Sequence, residues 1–469
     1  MAGTCDLLGS TEWVGPAAEA LAVPLRHGAD FSELFFEDKT ETRISSNGRQ
    51  ITASSSTHMH GAGLYLMSGT ETRYGYTNRT DAPGLLSLAN GLGCLAPWRA
   101  SAPASACDPV VERTYASHNT VLRSPETVGA DEKARLLNQV CAEARSFSPK
   151  IVEVHADYQD RLQDVAVVNS EGLLAREHRT ITTLRLFVTA SDGERMNAAW
   201  NNFSSGHGFE YLEDDAERSK MVAVTCECAL NGLVARPVKP EVMPVVVDSG
   251  TFIHEDCGHP LEATHLAGGT GVYYGKIGQQ VASPLVTIGD SGEWPELCGS
   301  FAMSDEGVEA KDNVLIEDGI LRGYMVDRLG SRQLGMPQTS AGRRQDYRFA
   351  PVSRMSNTYL KKGATPTADI IPSVSHGLYV REVGGGNVNP TTGNFNFLAV
   401  SGNIIENGEL TYPISNINLS GQSIDALMRI AAVGDSYFPD SGSLCGADSG
   451  LIYVTAFMPR ILVDGMMVG

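Results

Sequence analysis

The sequence predicts an α+β protein with a first half of helices and β-hairpins and a second half that is mostly β. Helical patterns alternate with short strand-like runs, without the regular βαβ order of a parallel sheet. After the prolines in residues 236–240, glycine becomes frequent and long helical patterns become rare. We expect an N-terminal α/β domain of hairpins and helices at residues 1–236 and a β-rich domain, carrying one short motif helix, at residues 237–469.

Helices of the first half are predicted by apolar residues at helical spacing and by end signals. Pro16 suits the first turn of a helix. The segment that begins at Asp131 places Leu136, Leu137 and Val140 on one face. The four predicted helices cover residues 16–22, 81–93, 131–146 and 214–233.

Strands are predicted from runs rich in β-branched and aromatic residues that are bounded by turn residues. Asn47-Gly48 follows one run and is a favourable hairpin turn, and residues 170–172 form a turn between two others. In the second half, residues 245–247 are predicted as a strand and residues 422–433 as the one long helix. The predicted strands of the first half cover residues 32–37, 43–46, 60–67, 151–157, 164–169 and 176–191, and a linker rich in Ala, Ser and Pro covers residues 96–109.

Composition excludes several classes of protein. The formal net charge of −19 argues against general binding to nucleic acid, which needs clustered lysine and arginine. No apolar run approaches the roughly 18 residues of a membrane span, and no basic segment precedes an apolar core at the N-terminus. The nine cysteines are spread along the chain and do not form a disulfide framework. We expect a cytoplasmic protein without membrane or nucleic-acid partners.

The segment His254–His259, with sequence HEDCGH, is the strongest chemical signal in the chain. Two histidines that flank a glutamate are typical of hydrolytic zinc sites, where the histidines hold the metal and the glutamate accepts a proton from water. The usual motif is H-E-x-x-H, so this segment has one residue more. Two exposed histidines near a helix end are the alternative, but Glu255 and Glu262, one turn beyond His259, favour the metal site.

The extra residue requires a distorted helix. Side chains four apart on a helix differ by about 40° and share a face, whereas side chains five apart differ by about 140°. A π-bulge, which adds one residue to a turn, would bring His254 and His259 together. Gly258 tolerates unusual dihedral angles, Pro260 bends or ends the helix, and His259 is expected outside the α region because a proline follows it.

With this motif placed after the first domain, the chain resembles the TldD/PmbA family of peptidases, and specifically its catalytic, TldD-type members. The resemblance covers nearly the whole chain and depends on the order of several segments that are weak signals alone. Residues 451–459 depart from the Val/Pro/Gly-rich run usual in the family, which leaves substrate and partner preference open. The matching segments are residues 28–34 (GADFSEL), 61–65 (GAGLY), 75–77 (GYT), 168–172 (VNSEG), 354–359 (RMSNTY) and 384–389 (GGGNVN).

The resemblance implies a third metal ligand, a cysteine in a Cys-Gly-x-Asp-like setting, which this chain offers at Cys445. Cys257 inside the motif is the competing ligand, and a buried apolar role is the alternative for Cys445. His254, His259 and Cys445 would then hold one Zn²⁺ per catalytic subunit, because thiolate and imidazole ligands favour zinc.

The neighbouring acidic residues are expected to assist this centre. Glu255 would act as general base, accepting a proton from water and delivering it to the leaving amine. Glu262 would orient a histidine through its other ring nitrogen, with a solvated carboxylate as an equal alternative. His265 is expected at the surface.

Substrate contacts are expected in the second half of the chain. Arg354, Tyr359 and His376 are candidates, by chemical type alone, for a further donor to the oxyanion, although Arg354 and Tyr359 could instead cap or pack a strand end. Gly384-Gly385-Gly386 would let a substrate backbone approach closely, so that an unfolded peptide adds as a strand at a sheet edge. A tight turn between strands is the equal alternative for these glycines.

The resulting hypothesis is a zinc-dependent peptidase of the HExxxH type. Its expected substrates are unstructured peptides or small unfolded proteins, including leader segments of ribosomally made peptides. The family implies a heterodimer with a PmbA/TldE-type subunit or, in some lineages, a homodimer. A non-catalytic peptide-binding or regulatory subunit of the same fold is the alternative function, and a closed structural zinc site is a third. Intact His254, Glu255, His259 and Cys445 count against the non-catalytic subunit.

Overall fold

The computed structural model describes residues 7–95, 98, 107–438 and 442–469. Most of the predicted linker at residues 96–109 lies outside the described residues. Helices and strands are mixed as in an α+β protein, so the predicted class is confirmed. Among the described helices, none is long and apolar enough to cross a membrane. The helices are α1 (Val14–Arg26), α2 (Ala82–Gly93), α3 (Ala130–Phe147), α4 (Glu210–Glu213), α5 (Asp215–Val234), α6 (Thr251–Ile253), α7 (Ala263–Leu266), α8 (Arg328–Leu334), α9 (Thr367–Ile370) and α10 (Ser423–Met428).

In the part of the chain that the structure describes, the first sheet has seven strands: β1 (Phe31–Ser46), β2 (Ile51–Ser68), β3 (Glu71–Thr77), β4 (Val111–Arg113), β5 (Ile151–Asn169), β6 (Leu173–Ser191) and β7 (Met196–Ser205). Two long hairpins, β1–β2 and β5–β6, are joined side by side through the antiparallel pair β1–β5. β3 extends one edge, while β4 and β7 both pair with β6, β4 in parallel.

Helices cover one face of this sheet at both ends. Because successive residues of a strand point to opposite faces, Leu34 and Phe36 of β1 point the same way. They belong to the apolar cluster of Leu21 in α1 and Leu85 in α2. Further along the same face, Ile44 packs in the cluster formed by α3 and α5. The opposite face is left for the second half of the chain.

The second half contains the remaining strands: β8 (Glu241–Val247), β9 (Ile288–Ser291), β10 (Asp312–Glu317), β11 (Ile320–Leu321), β12 (Gly342–Arg343), β13 (Val352–Ser353), β14 (Asn357–Leu360), β15 (His376–Val388), β16 (Asn394–Glu406), β17 (Glu409–Ile414), β18 (Ile417–Gln422), β19 (Ile430–Phe438), β20 (Ser443–Ala447) and β21 (Gly450–Val468). β8 pairs with both β15 and β21, and β16 and β18 complete the ring, so these five strands close into a barrel. The long strand β21 also pairs with β14, β19 and β20, which connects the barrel to the rest of the sheet.

Buried polar contacts connect loops of the second half to the face of the first sheet that the helices do not cover. Arg344 Nη2 donates to Glu33 Oε1 (2.9 Å), and the backbone N–H of Tyr347 donates to Glu37 Oε2 (3.0 Å). α5 packs on the first sheet, and β8 is the first strand of the barrel. We therefore propose that the domain boundary lies near Arg236.

The predicted elements of the first half are largely confirmed. The helices at residues 81–93, 131–146 and 214–233 correspond to α2, α3 and α5, and the first helix is longer than predicted. The Asn47-Gly48 turn connects β1 and β2, with Gly48 at φ +72°.

Two pairs of predicted strands are single strands in the structure. The runs at 32–37 and 43–46 are both part of β1, and those at 151–157 and 164–169 are both part of β5. The intervening polar residues stay in the strands because β1 and β5 pair with each other along this whole length. Runs rich in β-branched and aromatic residues were therefore a weaker guide to strand ends than the pairing between strands.

The helix predicted at residues 422–433 is wrong in its second part. α10 ends at Met428, and Ile430 begins β19, where it pairs with Val463 of β21. Ile430 is buried in the main core cluster of the second half. Burial and pairing with β21 thus override the helical preference of the segment.

Candidate metal centre

The predicted helix distortion is confirmed as a π-helical turn at His254–Gly258. It follows α6 and precedes a 3₁₀ turn at His259–Leu261. The backbone N–H of His259 donates to the carbonyl of His254, which is the five-residue bond of a π-helix. The two imidazole rings consequently meet, with centroids 5.1 Å apart and planes at 81°.

Two details of this distortion differ from the prediction. His259 lies in the α region (φ −56°, ψ −44°) although Pro260 follows it, because the π-helical bond and the 3₁₀ turn keep the chain helical. Gly258 also has helical dihedral angles, φ −57° and ψ −64°. A Cβ at Gly258 would lie 2.1 Å from the sulfur of Met355, so close packing, not conformational freedom, requires glycine here.

Apolar packing against the barrel orients the turn. Phe252 of α6 meets Phe395 and Phe397 of β16 edge-on, with centroid distances of 6.1 and 5.7 Å. Ile253 and Cys257 are buried in the same core, where the Cys257 thiol donates to the Ile253 carbonyl (3.2 Å). Cys257, the competing ligand, is thus held in the core and is not among the ligand atoms that converge.

Cys445 reaches the histidines from the hairpin of β20 and β21. Its sulfur lies 3.3 Å from Nε2 of His259. One ligand atom each of His254, His259 and Cys445 lies within 4.8 Å of the other two. The structure therefore brings together the three residues that were predicted to hold a metal, although Cys445 lies 186 residues after His259 along the chain.

The charges of this trio fit a divalent cation. Burial alone would raise the pKa of the Cys445 thiol, but the charges and hydrogen bonds of His254 and His259 lower it to about 5. Against the effect of burial, the thiolate raises the pKa of His254, and Glu262 together with the thiolate raises that of His259. A thiolate is the metal-binding form of cysteine. The buried Nδ1 of His254 has no hydrogen-bond partner among the described residues, as expected where a metal completes the site.

Glu255 faces the same cavity, which has a volume of about 470 Å³. Burial raises the pKa of its carboxyl, and the positive charges of His254 and His259 only partly offset this effect. A carboxylate with a raised pKa is a stronger proton acceptor than an exposed one. Glu255 is therefore suited to accept a proton beside the three ligand atoms.

Glu262 and Arg354 support the centre from behind. The Nδ1–H of His259 donates to Glu262 Oε2 (3.2 Å). Burial raises the pKa of Glu262, but the charge and hydrogen bond of His259, together with His265 and Arg354, lower it to about 2. Arg354 is fully buried, and its guanidinium donates to the carbonyls of Cys445 (2.6 Å) and Gly450 (3.0 Å). Arg354 Nε also lies 3.7 Å from Glu262 Oε1. Arg354 thus holds the cysteine hairpin in place and has no exposed surface for a substrate.

Tyr359 and His376 do not reach the cavity. The Tyr359 hydroxyl donates to the Asp312 carboxylate (2.7 Å), and its ring packs against other aromatic residues. His376 is exposed at the start of β15, 3.7 Å from Glu241. His265, expected at the surface, is partly exposed but lines the cavity.

Of the three predicted glycines, Gly386 lines the cavity. Gly384, Gly385 and Gly386 lie within β15, where the pairing with β16 shifts register, so the alternative of a tight turn between strands is wrong. A Cβ at Gly384 would lie 2.4 Å from Val400, and one at Gly386 would lie 2.5 Å from the Asn396 carbonyl. Gly385 has φ +126°, which favours glycine.

Several cavity residues were not predicted. They come from segments that are distant in sequence, namely strands β13 and β15 and the turns that follow β15 and β20. Asp448 and Asn387 do lie in the Cys-Gly-x-Asp and glycine-rich segments, which could have indicated them. These residues are Ser353, Asn387, Pro390 and Asp448.

Comparison with known proteins identifies the family. Residues 240–469 match the PmbA/TldA metallopeptidase C-terminal domain, and residues 123–229 match the PmbA/TldA metallopeptidase central domain. A metalloprotease TldD homolog of Haemophilus influenzae is 30% identical over 455 residues, which cover 94% of this chain and 93% of that protein. The chain belongs to the PmbA/TldD metallopeptidase family. The resemblance drawn from the short segments is thereby confirmed.

Solved structures of similar proteins share the fold of this PmbA/TldD chain. A Thermotoga maritima protein, described as a proposed modulator of a DNA gyrase, superposes with a TM-score of 0.79 at 18% identity, covering 97% of this chain and 100% of that one. TldE from Thermococcus kodakarensis gives a TM-score of 0.77 at 17% identity, with the same coverage. At these identities the likeness shows the fold alone.

Proposed function

We propose that this PmbA/TldD-family chain is a zinc-dependent peptidase of the HExxxH type that hydrolyses unstructured peptides. The observation that carries the proposal is the convergence of one ligand atom each from His254, His259 and Cys445 within 4.8 Å, beside Glu255 in one cavity. Three protein ligands leave one position open, which distinguishes catalytic zinc sites from closed structural ones.

Zinc is the ion that this donor set favours. Thiolate and imidazole ligands select zinc over magnesium, calcium and manganese, which prefer oxygen ligands. Bound by His254, His259 and Cys445, one zinc ion per chain would supply a Lewis acid and make a water molecule more acidic. Cys445 is already anionic at neutral pH, since its pKa is lowered to about 5.

The chain's own residues provide the proton transfer. We assign Glu255 as the general base that accepts a proton from water at its carboxylate and delivers it to the leaving amine. Its position in the cavity and its raised pKa, caused mainly by burial, support that assignment. Glu262 keeps the His259 ring oriented through Nδ1, and Arg354 keeps the Cys445 hairpin in register.

An unpaired strand edge beside the cavity is the observation that favours an unfolded peptide as the substrate. β15 pairs with β8 only at Leu378–Val380, so its later residues have no strand neighbour on that side among the described strands. Gly386, Asn387 and Val388, on this later part, line the cavity. An extended peptide could hydrogen-bond to this edge through its main chain, whereas a folded protein could not. We therefore propose unstructured peptides, small unfolded proteins or leader segments as substrates.

A TldE-type partner is part of the proposal. The fold similarity to TldE supports a heterodimer of related subunits, with a homodimer as the other arrangement. We also propose a cytoplasmic location, since no disulfide joins the cysteines that the structure describes. The competing function, a non-catalytic binding subunit, does not require an ionised Cys445 beside Glu255 and two histidines.

The decisive experiment is Glu255→Gln, with exposed Glu409→Gln as the matched control. Both variants are analysed for zinc content and for cleavage of a flexible peptide, compared with the same peptide held in a folded form. We expect Glu255→Gln to keep its zinc and to lose at least about a hundredfold in rate, while the control keeps both. Undiminished cleavage by Glu255→Gln overturns its role as base, and equal cleavage of the folded peptide overturns the substrate class.

A further inference from the structure

A second group of potential metal ligands lies on the far side of the His259 ring. Nδ1 of His259 is 3.2 Å from Glu262 Oε2, and Nε2 of His265 is 3.4 Å from the same oxygen. All three ligand atoms lie within 4.8 Å of one another. We propose that His259, Glu262 and His265 form a second, weaker zinc site, and that its occupancy inhibits the enzyme.

The spacing of these atoms suits a tetrahedral cation. Ligand atoms about 2.1 Å from a zinc ion in tetrahedral geometry lie about 3.4 Å from one another. The two contacts to Glu262, at 3.2 and 3.4 Å, match that separation. The carboxylate is thus spaced from both imidazoles as a shared ion requires.

Accessibility favours entry of a second ion. His265, on α7, is 37% exposed and lines the same cavity as the first site. Glu262 is buried, with one carboxylate oxygen 3.2 Å from Nδ1 of His259 and 3.4 Å from Nε2 of His265. An incoming cation can therefore reach the His265 imidazole from the cavity and contact the Glu262 carboxylate beside it without unfolding of the turn.

Proton balance explains why the second site is weaker. His259 already offers Nε2 toward Cys445, so binding a second ion at Nδ1 requires the Nδ1 proton to leave to solvent. The ring then bridges two zinc ions, neither of which changes oxidation state. Arg354, with Nε 3.7 Å from Glu262 Oε1, adds a positive charge that repels the second ion. Both effects lower the affinity relative to the first site.

Inhibition follows from what the second ion displaces. Glu262 would exchange its hydrogen bond with His259 for a metal bond, which removes the support of the first ligand. The ion would also occupy the wall of the cavity that contains Glu255. This consequence rests on the proposed peptidase function, whereas the second site itself is a statement about metal binding.

Cobalt titration of the metal-free protein tests the site separately from activity. Cobalt can replace zinc, and only the first site has a thiolate, so only the first equivalent should produce thiolate-to-cobalt charge transfer. We expect a second equivalent of cobalt to bind and to add visible absorption without increasing the thiolate-to-cobalt band. His265→Ala and His265→Gln should each keep the band and lose the second equivalent. A wild-type protein that saturates at one equivalent, or variants that still bind two, overturn the proposal.

Zinc inhibition provides the second measurement, with exposed His376→Ala as the matched control. Peptide cleavage by the wild type and by the control should rise with the first equivalent of zinc and fall with excess. His265→Ala should require at least about tenfold more zinc for the same loss. Identical inhibition of all three proteins overturns the inhibitory role. Absence of cleavage at every zinc level contradicts both the peptidase and that role, while the cobalt stoichiometry still decides the site.

Discussion

Two buried polar clusters of this protein, the metal centre and an acidic cluster between the domains, shift the pKa of a carboxyl group in opposite directions. In the metal centre, Glu262 is buried, yet the positive charge of His259 lowers its pKa to about 2. In the acidic cluster, Glu306 is equally buried, but burial and the negative charges of Asp327 and Glu33 raise its pKa to about 8. One carboxyl stays ionised at neutral pH, and the other keeps its proton.

The difference lies in the partners and not in the extent of burial. Glu262 is close to His259, His265 and Arg354, which all can carry positive charge. The hydrogen bonds that Glu306 accepts come from neutral donors, the backbone N–H of Arg328 and the side-chain amide of Gln338. In the metal centre, the protons on the histidines and the thiol can be replaced by a metal ion. In the acidic cluster, neighbouring negative charges instead keep a proton on the carboxyl group.

The largest expected effect is that of Cys445→Ser on metal binding. The substitution removes the anion that balances the two histidines, since a serine hydroxyl stays protonated at neutral pH. Zinc affinity should fall by more than about a hundredfold, beyond the range typical of residues that only support a ligand. Equilibrium dialysis against zinc measures this loss.

Exposed Cys94→Ser is the matched control for this thiol and should bind zinc like the wild type. Peptide cleavage should disappear in Cys445→Ser and persist in the control. Unchanged zinc affinity in Cys445→Ser would contradict the assignment of the third ligand. The thiolate of Cys445 would then be balanced by protonated histidines and not by a metal ion.

Glu262→Gln should produce a smaller effect on the same equilibrium. Glutamine can still accept the Nδ1–H of His259, but it no longer carries the charge that strengthens this ligand. We expect zinc affinity to fall about ten- to hundredfold, with the first equivalent still bound at high zinc. Competition with a chelator measures the change. Glu241→Gln, on an exposed glutamate, should leave the affinity as it is, and an equal loss there would show that the effect is not local.

The histidine half of the metal centre could be predicted from sequence because its chemistry is local. His254 and His259 lie in six residues, and the angular mismatch of five-residue spacing required the π-helical turn that the structure contains. Cys445 could be proposed only through the family resemblance, since the hairpin that brings it to the histidines is a long-range feature. The helices of the first domain were predictable for the same local reason.

Buried charge could not be predicted from sequence. Arg354 and Tyr359 were candidates for contact with substrate, with a packing or capping role as the alternative. Arg354 is fully buried behind Cys445, and Tyr359 is hydrogen-bonded to Asp312, so both agree with the alternative. Glu306 carried no signal at all, because its environment is created by residues from distant parts of the chain. The second part of the helix predicted at 422–433 failed for a related reason, since pairing with β21 decides the conformation of Ile430.

The smallest expected effect concerns the acidic cluster and the pH dependence of stability. Glu306 has a pKa of about 8 in the folded protein, raised from an ordinary value of 4.5 by burial and then by Asp327 and Glu33. The folded state therefore binds this proton more tightly than the unfolded state. Its contribution to the free energy of unfolding is fully present below about pH 4.5, falls as the pH rises toward 8, and is flat above that.

Glu306→Gln tests this sign, because the amide cannot ionise while its oxygen can still accept from Arg328 and Gln338. The variant should exceed the wild type in free energy of unfolding by about 1–3 kcal/mol at pH 8, and the difference should shrink toward pH 5. Urea unfolding at both pH values measures it, with exposed Glu309→Gln as control. A variant that is less stable than the wild type at pH 8 would show that Glu306 is ionised in the folded protein. Nearby positive charges would then balance the carboxylate of Glu306, as they balance that of Glu262, and the two clusters would no longer differ.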